Sequence, residues 1–123
     1  MDTDLADVMH YTNYFRYFEA CEQEFYRSLG TTLNNVREKY GIMLPRIEAS
    51  CEYNAPCRYD DLIEVQIEVI AVSDKTVTYG FQLLRKRDDK LAAIGKLKCI
   101  AVDNEWKVTT LPPEFVKLIQ GKS

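Results

Sequence analysis

The 123-residue chain contains one histidine, His10, and four cysteines, no two of which have the CxxC spacing. Zinc sites normally combine several His and Cys ligands at short spacings, so the sequence carries no pattern for a metal site. The motifs GxGxxG, GxxxxGK[ST], HExxH and GxSxG are absent as well. Nucleotide-binding loops, zinc proteases and serine hydrolases of the nucleophile-elbow type therefore have no support in the sequence.

Long apolar runs are also lacking, and none approaches the roughly 20 residues of a membrane span. The chain begins with acidic residues, Asp2 and Asp4, where a secretory signal would be basic and then apolar. The cysteines are predicted to be free thiols in the core, which is typical of a cytoplasmic protein. A net charge of -3 argues against nucleic acid as a partner, although a small anionic ligand needs only two or three local cations.

What the sequence does contain is enough apolar material for one core. Hydrophobic residues make up 46% of the chain. A chain of this length buries roughly two thirds of its unfolded surface and forms a single domain, residues 1–123.

Periodicity predicts the architecture. Tyr14, Phe18, Cys21 and Phe25 are spaced by four, three and four residues, which predicts a long helix over 12–29 that Thr12 can cap and Gly30 can end. Four later segments alternate apolar and polar residues with a period of two and are predicted strands. These segments are 46–53, 63–69, 76–83 and 96–101.

Polar breaks at 73–75 and 87–90 have hairpin length, so the last three strands are predicted to form an antiparallel meander. Residues 33–40 are read as a short helix or a loop, and 114–120 as a short terminal helix after Pro113. The fold class is therefore α+β, with one long helix packed against an antiparallel sheet. Because edge strands of such a sheet remain unpaired, we expect the chain to dimerise.

The stretch before the long helix carries the most chemistry. It places three carboxylates, His10 and Tyr11 directly ahead of a helix N-terminus. Free backbone N–H groups and the positive end of the helix dipole favour developing negative charge at that position. A neighbouring carboxylate can attack a carbonyl there or deprotonate a water molecule.

Two segments together carry a family resemblance. The first is DTDxxxVMHYTNY over residues 2–14, continued by FRYFE, and the second is YNAPCRYDDL over residues 53–62. Both resemble the 4-hydroxybenzoyl-CoA thioesterase-like branch of the hotdog-fold acyl-CoA thioesterases, and the resemblance covers nearly the whole chain. It implies a hotdog fold, a central helix wrapped by an antiparallel sheet, working as a homodimer or homotetramer.

The resemblance also implies roles for residues near the helix start. Asp4 matches the family's catalytic carboxylate, as general base or nucleophile. Tyr11 matches the residue whose backbone N–H polarises the thioester carbonyl. His10 is a candidate proton carrier, because histidine titrates near neutral pH, and Asn13 and Tyr14 match an Asn-Tyr pair assigned to substrate binding.

Coenzyme A carries phosphates, for which Arg58, Lys75 and the run 85–87 are candidate cations. Lys75 is preferred, since the family often has a basic residue in that hairpin. The expected activity is hydrolysis of an acyl-CoA thioester to the free acid and CoA. No metal or redox cofactor is expected, and CoA is part of the substrate.

Two departures from the family pattern keep an alternative open. Asp7 occupies a position where the family usually has glycine, and the chain begins three residues before Asp4, where the family has a first strand. The domain is therefore expected either to lack that strand or to have its true start upstream. The alternative function is a non-catalytic acyl-CoA-binding or regulatory dimer on the same fold.

Overall fold

The computed structural model describes residues 12–58 and 60–121. In chain order the described elements are α1 (Thr12–Ser28), α2 (Leu33–Tyr40), β1 (Arg46–Tyr53), β2 (Ile63–Val72), β3 (Thr76–Arg85), β4 (Lys90–Ile100) and α3 (Pro113–Ile119). The α+β class predicted from the sequence is confirmed, and the segment left open between helix and loop is a helix. None of the described helices is long and apolar enough to cross a lipid bilayer.

Both ends of α2 and the end of α1 follow the capping residues in the sequence. Gly30 has φ 81°, a left-handed conformation that suits glycine, and stops α1. Thr32 caps α2 by accepting a hydrogen bond from the Asn35 N–H at 3.1 Å, and Gly41, with φ 70°, ends it. These short connections fix where α1 and α2 lie relative to β1.

The last strand begins earlier than predicted, at Lys90 and not at Lys96. The pairing passes from Leu83–Ala93 to Leu84–Leu91, so Ala92 is an extra residue in β4, and this bulge leaves Ala92 and Ala93 both buried. The sequence Leu-Ala-Ala-Ile therefore shows no period of two, although it forms strand.

The four strands form one antiparallel sheet in the order β1-β4-β3-β2. The predicted meander of β2, β3 and β4 is confirmed. β1 pairs with β4 on the far side, so β1 and β2 are the two edges of the described sheet.

The face of the sheet that packs against α1 is aromatic. Phe18 of α1 stacks on Phe81 of β3 with ring centroids 4.8 Å apart, and both are buried. Phe81 pairs with Gly95 of β4, and the absence of a side chain at Gly95 makes room for the Phe18 ring. A Cβ at Gly95 would lie 2.6 Å from Phe18 Cζ and 2.8 Å from Cδ2. Glycine is thus required for this close approach.

One polar cluster lies within the same layer. Glu22 of α1 is 1% exposed, and its Oε1 accepts a hydrogen bond from Arg46 Nη2 of β1. The hydroxyls of Tyr26 and Tyr79 form a buried hydrogen bond beside it. Burial raises the pKa values of Glu22, Tyr26 and Tyr79. The cluster joins α1 to two strands through polar contacts in an otherwise apolar layer.

Candidate active site

The start of α1 is packed against the end of β1. Tyr14 is 2% exposed, and its ring lies 5.1 Å from that of Tyr53, the last residue of β1. Burial, followed by interaction with Cys57, raises the pKa of Tyr14 to about 12. The Tyr14 hydroxyl therefore stays protonated at neutral pH and serves in packing the helix start.

Residues 54–62, here called the connecting segment, join β1 to β2 and enclose this end of the helix. The N–H groups of Asn54 and Ala55 donate to the Ala92 carbonyl at 2.9 and 3.2 Å. Further along, Arg58 N–H donates to Asp61 Oδ2 at 2.7 Å, and Asp61 N–H donates to the Arg58 carbonyl at 3.0 Å. Two hydrogen bonds between Arg58 and Asp61 therefore stabilise this turn.

Arg85 of β3 holds the connecting segment in place by a hydrogen bond. Its side chain is 8% exposed and donates to the Pro56 carbonyl at 2.6 Å and to the two carboxylate oxygens of Asp88 at 3.1 and 2.7 Å. The hydrogen bond from Arg85 lowers the pKa of Asp88 to about 2. Arg85 is thus a scaffold residue, and its predicted place among the solvated or phosphate-binding cations of the run 85–87 is wrong.

Replacing Arg85 by methionine is expected to return the Asp88 pKa from about 2 towards its ordinary value of 3.8. A lowered folded-state pKa contributes stability above the unfolded value, which is lost as the pH falls through the folded value. In the wild type the free energy of unfolding should therefore fall as the pH drops from about 4 to about 2, and the variant should lose this contribution. Carboxyl-detected NMR titration of Asp88 measures the effect directly.

Lys86→Met is the matched control, because Lys86 pairs with Asp89 at 2.6 Å on the other side of the same turn. It should leave the titration of Asp88 unchanged. An Asp88 carboxyl that still titrates near 2 in Arg85→Met would contradict the role given to Arg85.

The N-terminal end of α1 carries the partial positive charge of the helix dipole. The first turn of α1 contains no acidic side chain. Its backbone N–H groups and the positive end of the dipole are therefore not neutralised by a carboxylate of that turn. A carbonyl oxygen placed there gains stabilisation as negative charge develops on it, which is the requirement of acyl transfer.

Several of the predicted site residues fall at this end of the molecule. Asp4, His10 and Tyr11 lie outside the described residues. Asn13 lies in the first turn of α1. Tyr14 is buried as described, and Arg58 is exposed in the connecting segment, three residues from Asp61.

Lys75 lies elsewhere. It is exposed in the turn between β2 and β3, where its carbonyl accepts a hydrogen bond from the Ala101 N–H at 2.8 Å. Arg58 precedes β2, and Lys75 follows it. At about 3.3 Å per residue, the ten residues of β2 separate the two cations by roughly 30 Å. One chain does not bring Arg58 and Lys75 together.

The sequence analysis missed the supporting roles of Cys57 and Arg85. Cys57 is fully buried beside Tyr14, in a segment singled out only for its resemblance. Arg85 could have been recognised, because the period of two that places Tyr79, Phe81 and Leu83 on the core face of β3 continues to position 85. A charged residue at such a position signals a buried, paired side chain.

The comparisons with known proteins agree with this geometry. A family model described as "Thioesterase-like superfamily" matches residues 1–119. The acyl-CoA thioesterase YbgC of Haemophilus influenzae is 28% identical over 114 residues, which cover 86% of this chain and 84% of that protein.

Solved structures show the same fold. A hypothetical protein from Aquifex aeolicus superposes with a TM-score of 0.86 at 32% identity, covering 96% of this chain and 90% of that chain. A 1,4-dihydroxy-2-naphthoyl-CoA thioesterase from Synechocystis gives a TM-score of 0.84 at 20% identity, covering 96% and 87%.

These findings confirm the hotdog fold and the enzyme class, thioester hydrolase, that the sequence motifs predicted. The match runs through both segments that carry the resemblance, including the N-terminal motif and the connecting segment. The chain belongs to the thioesterase-like superfamily.

Proposed function

We propose that the protein hydrolyses an acyl-CoA thioester at the N-terminal end of α1. The observation that carries this proposal is the positive end of α1, whose first turn contains no acidic side chain and which is packed by the buried Tyr14 and Cys57. The similarity to an acyl-CoA thioesterase of Haemophilus influenzae supports CoA as the thiol portion of the substrate.

The proposed reaction uses water as the second substrate. With Asp4 as general base, its carboxylate takes a proton from water, the water oxygen bonds to the thioester carbonyl carbon, the carbon–sulfur bond breaks, and the CoA thiolate takes up that proton. With Asp4 as nucleophile, its carboxylate oxygen bonds to the carbonyl carbon as the carbon–sulfur bond breaks, and water then hydrolyses the acyl–Asp4 anhydride and supplies the proton for the thiolate. In both routes the N–H at Tyr11 donates to the carbonyl oxygen. His10 carries a proton, and Asn13 and Tyr14 contribute to substrate binding. The sequence of steps requires neither a metal nor a redox cofactor.

We further propose a homodimer that pairs through β2. This strand is an edge of the described sheet, and its inward-facing residues Ile63, Val65, Ile67 and Val69 are only partly buried. Antiparallel pairing of two β2 strands about a two-fold axis would bring Lys75 of one protomer towards Arg58 of its partner. Both cations could then contact the phosphates of one CoA molecule at the subunit boundary.

A panel of short, long and aromatic acyl-CoA esters, assayed by trapping the released thiol, tests the proposal. Saturable thiol release from at least one ester is expected, and a CoA thioether of the same acyl group should inhibit without releasing thiol. Binding of the thioether with no thiol release from any ester would overturn hydrolysis and favour the non-catalytic acyl-CoA-binding alternative.

We propose the cytoplasm as the site of action. All four cysteines are free thiols, and Cys57 and Cys99 are fully buried. Burial raises the pKa of Cys99 to about 11, so this thiol is unreactive in the folded chain. Reduced thiols and a CoA ester substrate both fit that compartment.

A further inference from the structure

Alternate residues of β1 face the same side of the sheet as α1 without being covered by the helix. Cys51 pairs with Gly95, over which the Phe18 ring of α1 lies, so Cys51 is on the α1 side of the sheet. Because side chains alternate along a strand, Ala49 and Tyr53 face the same way. Ala49 is exposed, Cys51 is partly buried and Tyr53 is 44% exposed. These three residues are here called the β1 strip.

The β1 strip is open because α1 packs towards the opposite edge of the sheet. The order of the strands is β1-β4-β3-β2, and the backbone of α1 lies nearest to β2. The Cys21 thiol of α1 donates to the Val65 carbonyl of β2 at 3.6 Å. The helix therefore covers one edge of the sheet and leaves an apolar path beside it along the other.

The two ends of the β1 strip have different surroundings. At one end, the Tyr53 ring lies 5.1 Å from the ring of Tyr14, in the first turn of α1. Beyond the other end, Arg46 of the same strand donates a hydrogen bond to the buried carboxylate of Glu22. The strip thus begins where the thioester carbonyl is proposed to lie, stays uncharged along its length and stops at an ion pair.

The length of the β1 strip fits a chain of definite size. Four residues separate Tyr53 from Ala49, which corresponds to about 13 Å at 3.3 Å per residue. An extended alkyl chain advances about 1.25 Å per carbon, given bonds near 1.5 Å and angles near 111°. Roughly ten carbons therefore span the strip. The small side chains of Cys51 and Ala49 leave room above the strand for such a chain.

We propose that the β1 strip binds the acyl chain of the thioester, and that the substrate class is unbranched aliphatic acyl-CoA of medium length. This inference rests on the proposed hydrolysis at the start of α1, from which the acyl chain leaves along β1 and the CoA portion leaves towards the β2 edge. Tyr53 contacts the first carbons, Cys51 the middle of the chain and Ala49 its end. The strip is one side chain wide, which suits a chain without branches.

Calorimetric titration of the full chain with S-butyl-CoA and S-decyl-CoA, two thioethers that cannot be hydrolysed, tests the proposal. The decyl compound is expected to bind at least about tenfold more tightly, because each half-buried methylene contributes about twofold. Ala49→Glu should remove this gain and leave the Kd of the butyl compound unchanged, since it places a charge only at the far end of the strip. Ser50→Glu is the matched control and should keep the gain, because the exposed Ser50 pairs with Lys96 and faces away from α1.

Alkylation by iodoacetamide, read by mass spectrometry, locates the bound chain. Cys51 lies about 7 Å along the strand from Tyr53, beyond the roughly 5 Å that a butyl chain reaches. S-decyl-CoA should therefore slow the alkylation of Cys51, whereas S-butyl-CoA should not. Cys21, which is also partly buried but faces β2, is the internal reference, and its rate should be the same with either compound.

Equal affinity of the wild type for the two thioethers would overturn the proposal, as would a gain that persists in Ala49→Glu or binding of neither compound. Thiol release from a short acyl-CoA would in each case leave the proposed hydrolysis standing. A gain that Ala49→Glu removes, without thiol release from any ester, would overturn hydrolysis and leave the acyl site on β1 standing.

Discussion

Asp4→Asn is expected to lower kcat/KM for acyl-CoA hydrolysis by at least about 100-fold. Asparagine has nearly the same shape as aspartate, but it neither accepts a proton from water nor attacks a carbonyl. General base catalysis alone typically contributes about 10²- to 10⁴-fold. The helix start described above remains intact in this variant, so residual hydrolysis measures what the backbone amides contribute without the carboxylate.

Asp2→Asn is the matched control, since it makes the same change two residues away within the same motif. It should keep kcat/KM within a few-fold of wild type. Thiol-trapping assays of the three proteins on the best ester of the panel give the comparison. Equal rates for wild type and Asp4→Asn would remove Asp4 from the mechanism while leaving the family assignment intact.

Gly95→Ala is expected to destabilise the fold by about 3 kcal/mol, near the upper end for overpacking a core. The added methyl would lie within 3 Å of several atoms of the Phe18 ring, and Phe18 is itself buried and stacked on Phe81. The ring has no free space to retreat into, so α1 must move away from the sheet. Urea unfolding at equal protein concentration measures the loss.

Gly80→Ala, one residue before Phe81 and on the face of the sheet that points away from α1, is the control. Its methyl would meet Ile70 Cγ2 at 2.9 Å, but Ile70 is 42% exposed and can change rotamer. This variant should unfold within about 1 kcal/mol of wild type. Adding Phe18→Leu to Gly95→Ala should recover part of the loss. Equal unfolding midpoints for the two alanine variants would show that the Phe18 contact is not limiting.

The elements that the sequence predicts well are those in which apolar residues recur at a constant spacing. The aromatic residues of α1 and the alternating residues of β2 and β3 reveal their period without knowledge of a partner. The start of β4 was missed because a bulge at Ala92, within β4 itself, interrupts the alternation and leaves both Ala92 and Ala93 buried. A bulge removes the period of two from the sequence of its own strand, so the pattern no longer indicates a strand there.

Of the candidate site, the sequence reveals the local motifs but not the pairs of residues that lie far apart in the chain. The motif around Asp4 and the connecting segment are local in sequence, so a resemblance finds them. Arg85 and Glu22 have partners 29 and 24 residues away, at Pro56 and Arg46, and spacing does not reveal such pairs. The separation of Arg58 from Lys75 could have been recognised from the predicted meander, because Arg58 precedes and Lys75 follows the same strand.

The polar cluster around Glu22 has a consequence for the direction of the amides at the helix start. Glu22 lies ten residues from the first residue of α1, or about 15 Å along its axis. Arg46 of β1 and Tyr79 of β3 hold that level of the helix from two strands. Slipping by one residue would turn the helix by about 100° and break the ion pair between Glu22 and Arg46. The angle at which the first-turn N–H groups meet a carbonyl is therefore set at mid-helix, by residues that never touch the substrate.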